Sequence, residues 1–365
     1  MGNKKRLNKS NVILFFIIVF AVVLGKVFQF NFLPEKYFYD SNHIINVMNG
    51  STITDPSYTF TANFFNAINI FHFTTTFEWA IALSILMTPL LFFAFKKYKS
   101  DLNIKNILFI VSFTIIISIY TFNISKEVIQ FLIFLLISSL IRNEKITNSK
   151  KIIISTAILL AEGILFRKYY IITALIFATL CIIYRQLKNK SVLKTLLILL
   201  PILIVTIFGL RIISENSYSE ILNARTSTNA LRIGSEDAVT IINDIIPNQS
   251  NSPIIFIQNY ALNTFRILFP LELLSKGVKY IPFVIIQIAL FFIVFSYIKS
   301  YKKNITIPQA LFIIIAFVLT SILFEPDFGS VIRHESAILP ILLMIFEPQK
   351  IINAHNIKDT INEED

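Results

Sequence analysis

Of the 365 residues 55% are hydrophobic, Phe alone contributes 36, and only 15% are charged, which is too apolar for a water-soluble chain of this length. The formal net charge of +11 would suit nucleic acid, but the positive residues fall mostly between apolar runs, where they orient a membrane protein, so no nucleic acid is expected. The single cysteine, Cys181, lies inside an apolar run and excludes an intrachain disulfide.

A helix crossing a bilayer needs about 20 apolar residues. The first candidate span, 12–32, follows Lys4, Lys5, Arg6 and Lys9, and Gly25-Lys26-Val27-Phe28 offers no small-x-small cleavage pattern, so it reads as an uncleaved span. Residues 33–76 form a first outer loop. Within it, the aromatic stretch 58–77 is broken by Asn63, Asn66, Asn69 and Thr74 to Thr76, and reads as a helix lying in the membrane interface. Spans are expected at 77–95, 107–122, 128–141, 152–166, 169–184 and 192–213. A large outer loop, 214–279, comes next, with 214–252 as one polar loop and a second interfacial helix over 254–269. Spans at 280–298, 307–324 and 330–346 and a polar cytoplasmic tail, 347–365, complete the chain. The expectation is a single all-α, polytopic membrane domain of about ten transmembrane helices with both termini cytoplasmic.

Under this topology the cytoplasmic loops and tails carry 18 Lys and 3 Arg, and the remainder carries 6 Lys and 6 Arg. Lysine therefore fixes orientation by the positive-inside rule. The outer arginines point to chemistry, because guanidinium binds phosphate through a fixed fork of donors.

Two outer turns are short and charged. Spans 107–122 and 128–141 flank Asn123 to Glu127, and 152–166 and 169–184 are separated only by Arg167 and Lys168. Helices of roughly 15 residues reach ~22 Å against a ~30 Å hydrocarbon layer, so both turns should dip below the outer surface. Lys126, Glu127, Arg167 and Lys168 are then expected to line a wet pocket that receives substrate, with snorkelling at helix ends as the alternative. Glu162, inside a span, would be protonated if unpaired in lipid and would stay charged if it faced Lys126 or Arg167.

The segment Glu325 to Ser336 is the sharpest constellation. With the last span starting near Ser330, Gly329 permits a turn, Ser330 caps the helix, and Arg333 joins the free N–H groups of the first turns as an anion site. His334 is the candidate base, with Glu335 or Glu127 orienting it, and a helix cap with a topology anchor is the alternative. Arg225 and Arg232, seven apart, share a face if 221–233 is helical, and Arg211 and Arg266 lie at the loop's edges. They suit a diphosphate, or else pair with the loop's own acids. Asp40 or His43, in 37–43 after the first span, is a second candidate base, with a simple interfacial aromatic belt as the alternative. No phosphate-binding Gly-rich loop, no acid pair in the first loop and no Cys/His cluster appears, so no metal and no cofactor is expected.

On Ser125-Lys126-Glu127 opening a span, Arg167-Lys168-Tyr169-Tyr170, and Gly329 to Glu335 leading into Ala337-Ile338-Leu339-Pro340, the chain resembles the Wzy-type polymerases of O-antigen and capsular polysaccharide. The resemblance covers most of the chain as topology, and its arginine-rich outer loops match Arg225 and Arg232 in kind. It implies a metal-independent glycosyltransferase of the bacterial cytoplasmic membrane that polymerises undecaprenyl-diphosphate-linked oligosaccharide repeat units on the outer face, beside a flippase and a chain-length regulator. Two other readings stand beside it: a flippase for lipid-linked oligosaccharide, and a membrane glycosyltransferase using a polyprenyl phosphate donor.

Overall fold

The computed structural model describes residues 2–34, 38–52, 55–96, 102–187, 191–230, 240–248, 250–300 and 308–346. Apart from one isolated bridge between Ile241 and Asp327, the regular structure among them is helical. Fifteen α-helices follow in order: α1 (Gly2–Phe32), α2 (Tyr39–Met48), α3 (Pro56–Ile68), α4 (Thr76–Phe95), α5 (Ile104–Tyr120), α6 (Lys126–Arg142), α7 (Asn148–Leu165), α8 (Tyr169–Gln186), α9 (Val192–Ile213), α10 (Glu215–Ala230), α11 (Pro253–Leu268), α12 (Ile281–Ser300), α13 (Pro308–Phe324), α14 (Phe328–Ala337) and α15 (Leu339–Phe346).

Among the described residues five helical stretches are long and apolar enough to cross a membrane, in α1, α4, α8, α9 and α12, and the bent pair α14–α15 makes a sixth if it counts as one span. That is the signature of a multi-pass membrane protein. The remaining expected spans fall short for identifiable reasons. Helices α5 and α13 have only 17 residues each, α6 opens on Lys126 and Glu127, and α7 carries Lys150, Lys151 and Glu162.

Several helix starts are written locally. Asp55 accepts from Ser57 N at 2.8 Å ahead of Pro56, which opens α3; Thr75 and Glu78 form a reciprocal capping box at α4; Asn103 and Ser191 cap α5 and α9. The expected first outer loop, 33–76, holds α2 as well as α3, and α3 ends at Ile68, so the stretch 58–77 is helical over little more than its first half. The expected loop 214–252 begins with a helix, α10.

The last expected span is corrected twice. It is broken, α14 and α15 meeting at 72° across Ile338. Pro340 has no N–H to give the Ser336 carbonyl and its ring would collide with that carbonyl, so the chain restarts, with Ile341 N and Leu342 N both bonding to Ile338 O. Its start is also two residues earlier than expected. Asp327 rather than Ser330 caps it, Oδ1 accepting from Ser330 N at 2.8 Å, so an acid already answers the N–H groups read as an anion site.

The chain forms two compact units, with boundaries inside α6 and α14. The first holds the residues up to Ser139 and those from Arg333 to the end of α15. Here α1 lies against α5, and the approach is close because position 25 is glycine: a Cβ there would stand 2.8 Å from Ser118 Cβ. Ser118 Oγ donates to Val22 O at 2.9 Å across the same interface. The second unit holds residues 140–332. In it α7 and α8 form a hairpin at Gly163, where a Cβ would lie 2.7 Å from Ile171 N, and α8 meets α13 through Thr173 and Thr320 at 3.1 Å. Helix α13 is buried along most of its length, whereas α9 is almost wholly exposed, as a lipid-facing helix would be.

Candidate functional site

In the first unit, the site begins with a lysine that hydropathy averaging hides. Lys26, in the apolar α1, is buried, and its Nζ lies 2.6 Å from Ser118 O, 2.7 Å from Phe122 O, 2.8 Å from Gln29 Oε1 and 3.1 Å from Asn123 Oδ1. A helix ends with unsatisfied carbonyls, and a cation there answers both those carbonyls and the dipole. Lys26 thus caps α5 from a neighbouring helix. Asn123 Oδ1 also accepts from Gln29 Nε2 at 2.9 Å, so the turn after α5 is held from α1. That turn delivers Lys126 and Glu127 as the first residues of α6, with residues 121–130 buried throughout.

Glu127, Asp40, Arg333 and His334 converge there from α6, α2 and α14. Arg333 grips both carboxylates: Nη1 donates to Asp40 Oδ2, and Nε stands 3.3 Å from Glu127 Oε1. The same Glu127 Oε1 is 3.3 Å from His334 Nε2. Asp40 Oδ1 accepts from the Tyr58 hydroxyl, and the Tyr58 ring carries the Lys126 ammonium 3.7 Å from its centroid. The α14 segment is tied in by Ser336 Oγ, 2.8 Å from Thr121 Oγ1 at the end of α5. The order of contacts is therefore Lys126, Tyr58, Asp40, Arg333, Glu127, His334.

These contacts assign different capacities to the candidates. Burial alone would push the Asp40 carboxyl up, but Arg333 and Lys126, with the Tyr58 hydrogen bond, outweigh it and hold Asp40 at about 2. So weak a base suits an anchor for Arg333 rather than the proton acceptor for which Asp40 is an alternative on sequence grounds. Tyr58 is pushed up, by burial and by the Asp40 charge, and stays a neutral donor. His43 packs its ring against Tyr39 and Tyr58. His334 turns Nε2 toward Glu127, so Glu127 is placed to stabilise an imidazolium there. Glu335, the other carboxylate considered for orienting His334, is half-buried in the next position of α14. Arg333 is the most accessible of the ion-paired group, its side chain 28% exposed against 16% for Asp40 and 0% for Glu127, so an incoming anion meets it first.

The other predicted substrate residues belong to the second unit, except Arg232, which lies outside the described residues. Arg225 in α10 is buried; it donates to the Ile322 carbonyl near the end of α13 and stands 3.3 Å from Asp244. Burial pulls its pKa below the ordinary value, against the opposing effect of Asp244. Arg266 makes a two-pronged pair with Glu272, 2.7 Å at each contact, and bonds to Asn243 O at 2.6 Å. These donors brace the segment between α9 and α12. Arg167 is buried at the α7–α8 turn, where Nη1 donates to Tyr169 Oη at 2.8 Å, and Lys168 begins the turn into α8.

Sequence reasoning passed over Tyr58 and Lys26. Lys26 and Gln29 are three apart and so share one face of α1, a signal legible in an otherwise apolar run. Tyr58 sits just inside the Asp55-Pro56 helix start, with nothing in its own neighbourhood to point at Asp40. Among the described residues no three of His, Cys, Asp and Glu gather in a group that could hold a metal ion. No family model, no curated protein and no solved structure matches this chain.

Proposed function

We propose that the chain is a glycosyltransferase of the bacterial cytoplasmic membrane, joining undecaprenyl-diphosphate-linked oligosaccharide repeat units into O-antigen or capsular polysaccharide on the outer face. In this reading the ten apolar runs are ten spans with both termini in the cytoplasm, α5, α6, α7 and α13 being short ones sheltered by their neighbours. One observation carries the proposal: Asp40, Glu127 and Arg333, which the lysine bias assigns independently to the same outer side, meet in one partly open cluster with His334.

The chemistry follows from these groups. A hydroxyl oxygen of the acceptor sugar attacks the anomeric carbon of the donor, and a new C–O glycosidic bond forms as the anomeric C–O bond to the diphosphate breaks. The bonding electron pair leaves with undecaprenyl diphosphate. The hydroxyl proton passes to His334, and the imidazolium so formed is stabilised by Glu127 and later returns its proton to solvent or to the departing phosphate. Arg333, held in orientation by Asp40 and Glu127, faces the charge that develops on the diphosphate.

Analysis of lipid-linked material in a deletion strain tests the assignment. A lost polymerase leaves single repeats outside, carried on lipid or capping the surface acceptor. Repeats retained inside would instead mean a flippase, and polymer of altered composition would mean a side-chain transferase.

A further inference from the structure

Within the first unit, α1 and α4 enclose a cavity of about 550 Å³ that takes no part in the chemistry above. It runs along α1 from Phe15 to Asn31 and along α4 from Phe77 to Pro89. Both helices are of spanning length, so its mouth faces hydrocarbon. The few polar side chains on its walls already have partners. Lys26 Nζ is bonded to the end of α5, Asn31 Nδ2 donates to Val27 O at 2.8 Å, Ser84 Oγ to Ala80 O at 2.7 Å, and Thr88 Oγ1 to Ser84 O at 2.5 Å. The groove therefore receives an occupant made of hydrocarbon alone.

Length selects among hydrocarbons. The sixteen steps along α1 from Phe15 to Asn31 rise ~24 Å, whereas one leaflet of a ~30 Å core is ~15 Å deep. An acyl chain of a single leaflet ends near the midplane and leaves the rest of the groove unfilled; a long polyisoprenoid passes through both. One end of the groove packs against the segment that leads into the site. At its outer end Phe30 meets Phe77 edge-on, with centroids 5.0 Å apart, and stacks on Phe38 at 5.8 Å; Phe38 immediately precedes α2, which carries Asp40 in its first turn.

From these observations we infer that the α1–α4 groove binds the polyisoprenoid chain of a lipid-linked substrate, holding the reacting diphosphate near Arg333. The inference rests on the proposed lipid-diphosphate substrate, and its test does not depend on turnover. A photoreactive residue replaces Val23 in the groove or, as a control, the exposed Val205 of α9, in the purified full chain in phosphatidylglycerol nanodiscs with added undecaprenyl diphosphate or farnesyl diphosphate. Position 23 should capture the long isoprenoid roughly tenfold more than position 205 and more than the short one, and Ile85→Trp or Ser84→Phe should cut that capture roughly tenfold, the factor given by about 1.4 kcal/mol of binding. Elution as the native species qualifies either filling variant. Equal capture at both positions, capture of phospholipid alone, or capture undiminished in the qualified variant overturns the groove. Isoprenoid capture by a chain that transfers no sugar when given lipid-linked repeats in a separate assay would leave the groove standing and remove the glycosyltransferase; transfer in that assay without isoprenoid capture would do the reverse.

Discussion

Arg333 and Asp40, 293 positions apart in the chain, form the ion pair that joins α14 to α2, and the other edge of the same guanidinium faces Glu127. A cation shared by two carboxylates and left partly open can accept a third anion without losing its orientation, which is what a diphosphate subsite requires.

Acid should undo this pair in a defined window. The Asp40 carboxyl lies at about 2 in the folded chain, below its ordinary value near 4, so the stabilisation it provides is complete above the ordinary value and is lost as pH falls through the folded one. The size is on the order of 2 kcal/mol. Thermal unfolding in detergent should show wild type more stable than Asp40→Asn at pH ~6, with the gap closing between pH ~4 and ~2. A gap independent of pH would mean the pair contributes nothing through charge.

Lys26→Met should destabilise the first unit by about 1–3 kcal/mol for each buried carbonyl left without a donor, because two carbonyls at the end of α5 lose their cap. It should also lower turnover although residue 26 touches no substrate, since the turn before Glu127 loosens. The melting temperature and turnover per folded molecule measure the two effects, and a variant with wild-type values in both would remove the capping role.

Two glycines make a matched comparison. Gly163→Ala should cost about 1–3 kcal/mol, because its Cβ would lie 2.7 Å from the Ile171 backbone nitrogen, as overpacking does elsewhere. Gly209→Ala, in open space within α9, should be neutral or stabilising by about 0.5–1 kcal/mol. Denaturation midpoints of the two variants decide it.

Much of the fold was legible. Apolar runs mark the helices, and 192–213 is recovered to the residue because Ser191 and Ser214 punctuate both ends. The break after Ala337 was visible as Pro340, but the apolar run around it concealed the restart at Ile338. Asp327 and Ser330 are both good caps, and only the observed first turn of α14 distinguishes them. For the site, the residue types in 125–127 and 333–334 were readable, whereas their partners were not: Asp40 and Tyr58 come from α2 and α3, and nothing local in sequence selects Arg333 as the partner of Asp40. Arg225 and Arg266 read as lid arginines for the same reason, their pairing with Asp244 and Glu272 being a property of packing.

His334, oriented by Glu127 and neighboured by Arg333, is the group on which the proposed glycosyl transfer stands or falls. Single-turnover joining of two lipid-linked repeats by the purified chain in nanodiscs, comparing wild type with His334→Ala and Glu127→Gln, measures its role. Loss of a general base costs roughly 10²–10⁴-fold. A fall of that size is expected for His334→Ala and a smaller one for Glu127→Gln, with both variants folded; wild-type rates in folded His334→Ala would show that the proton goes elsewhere and that the site is misassigned.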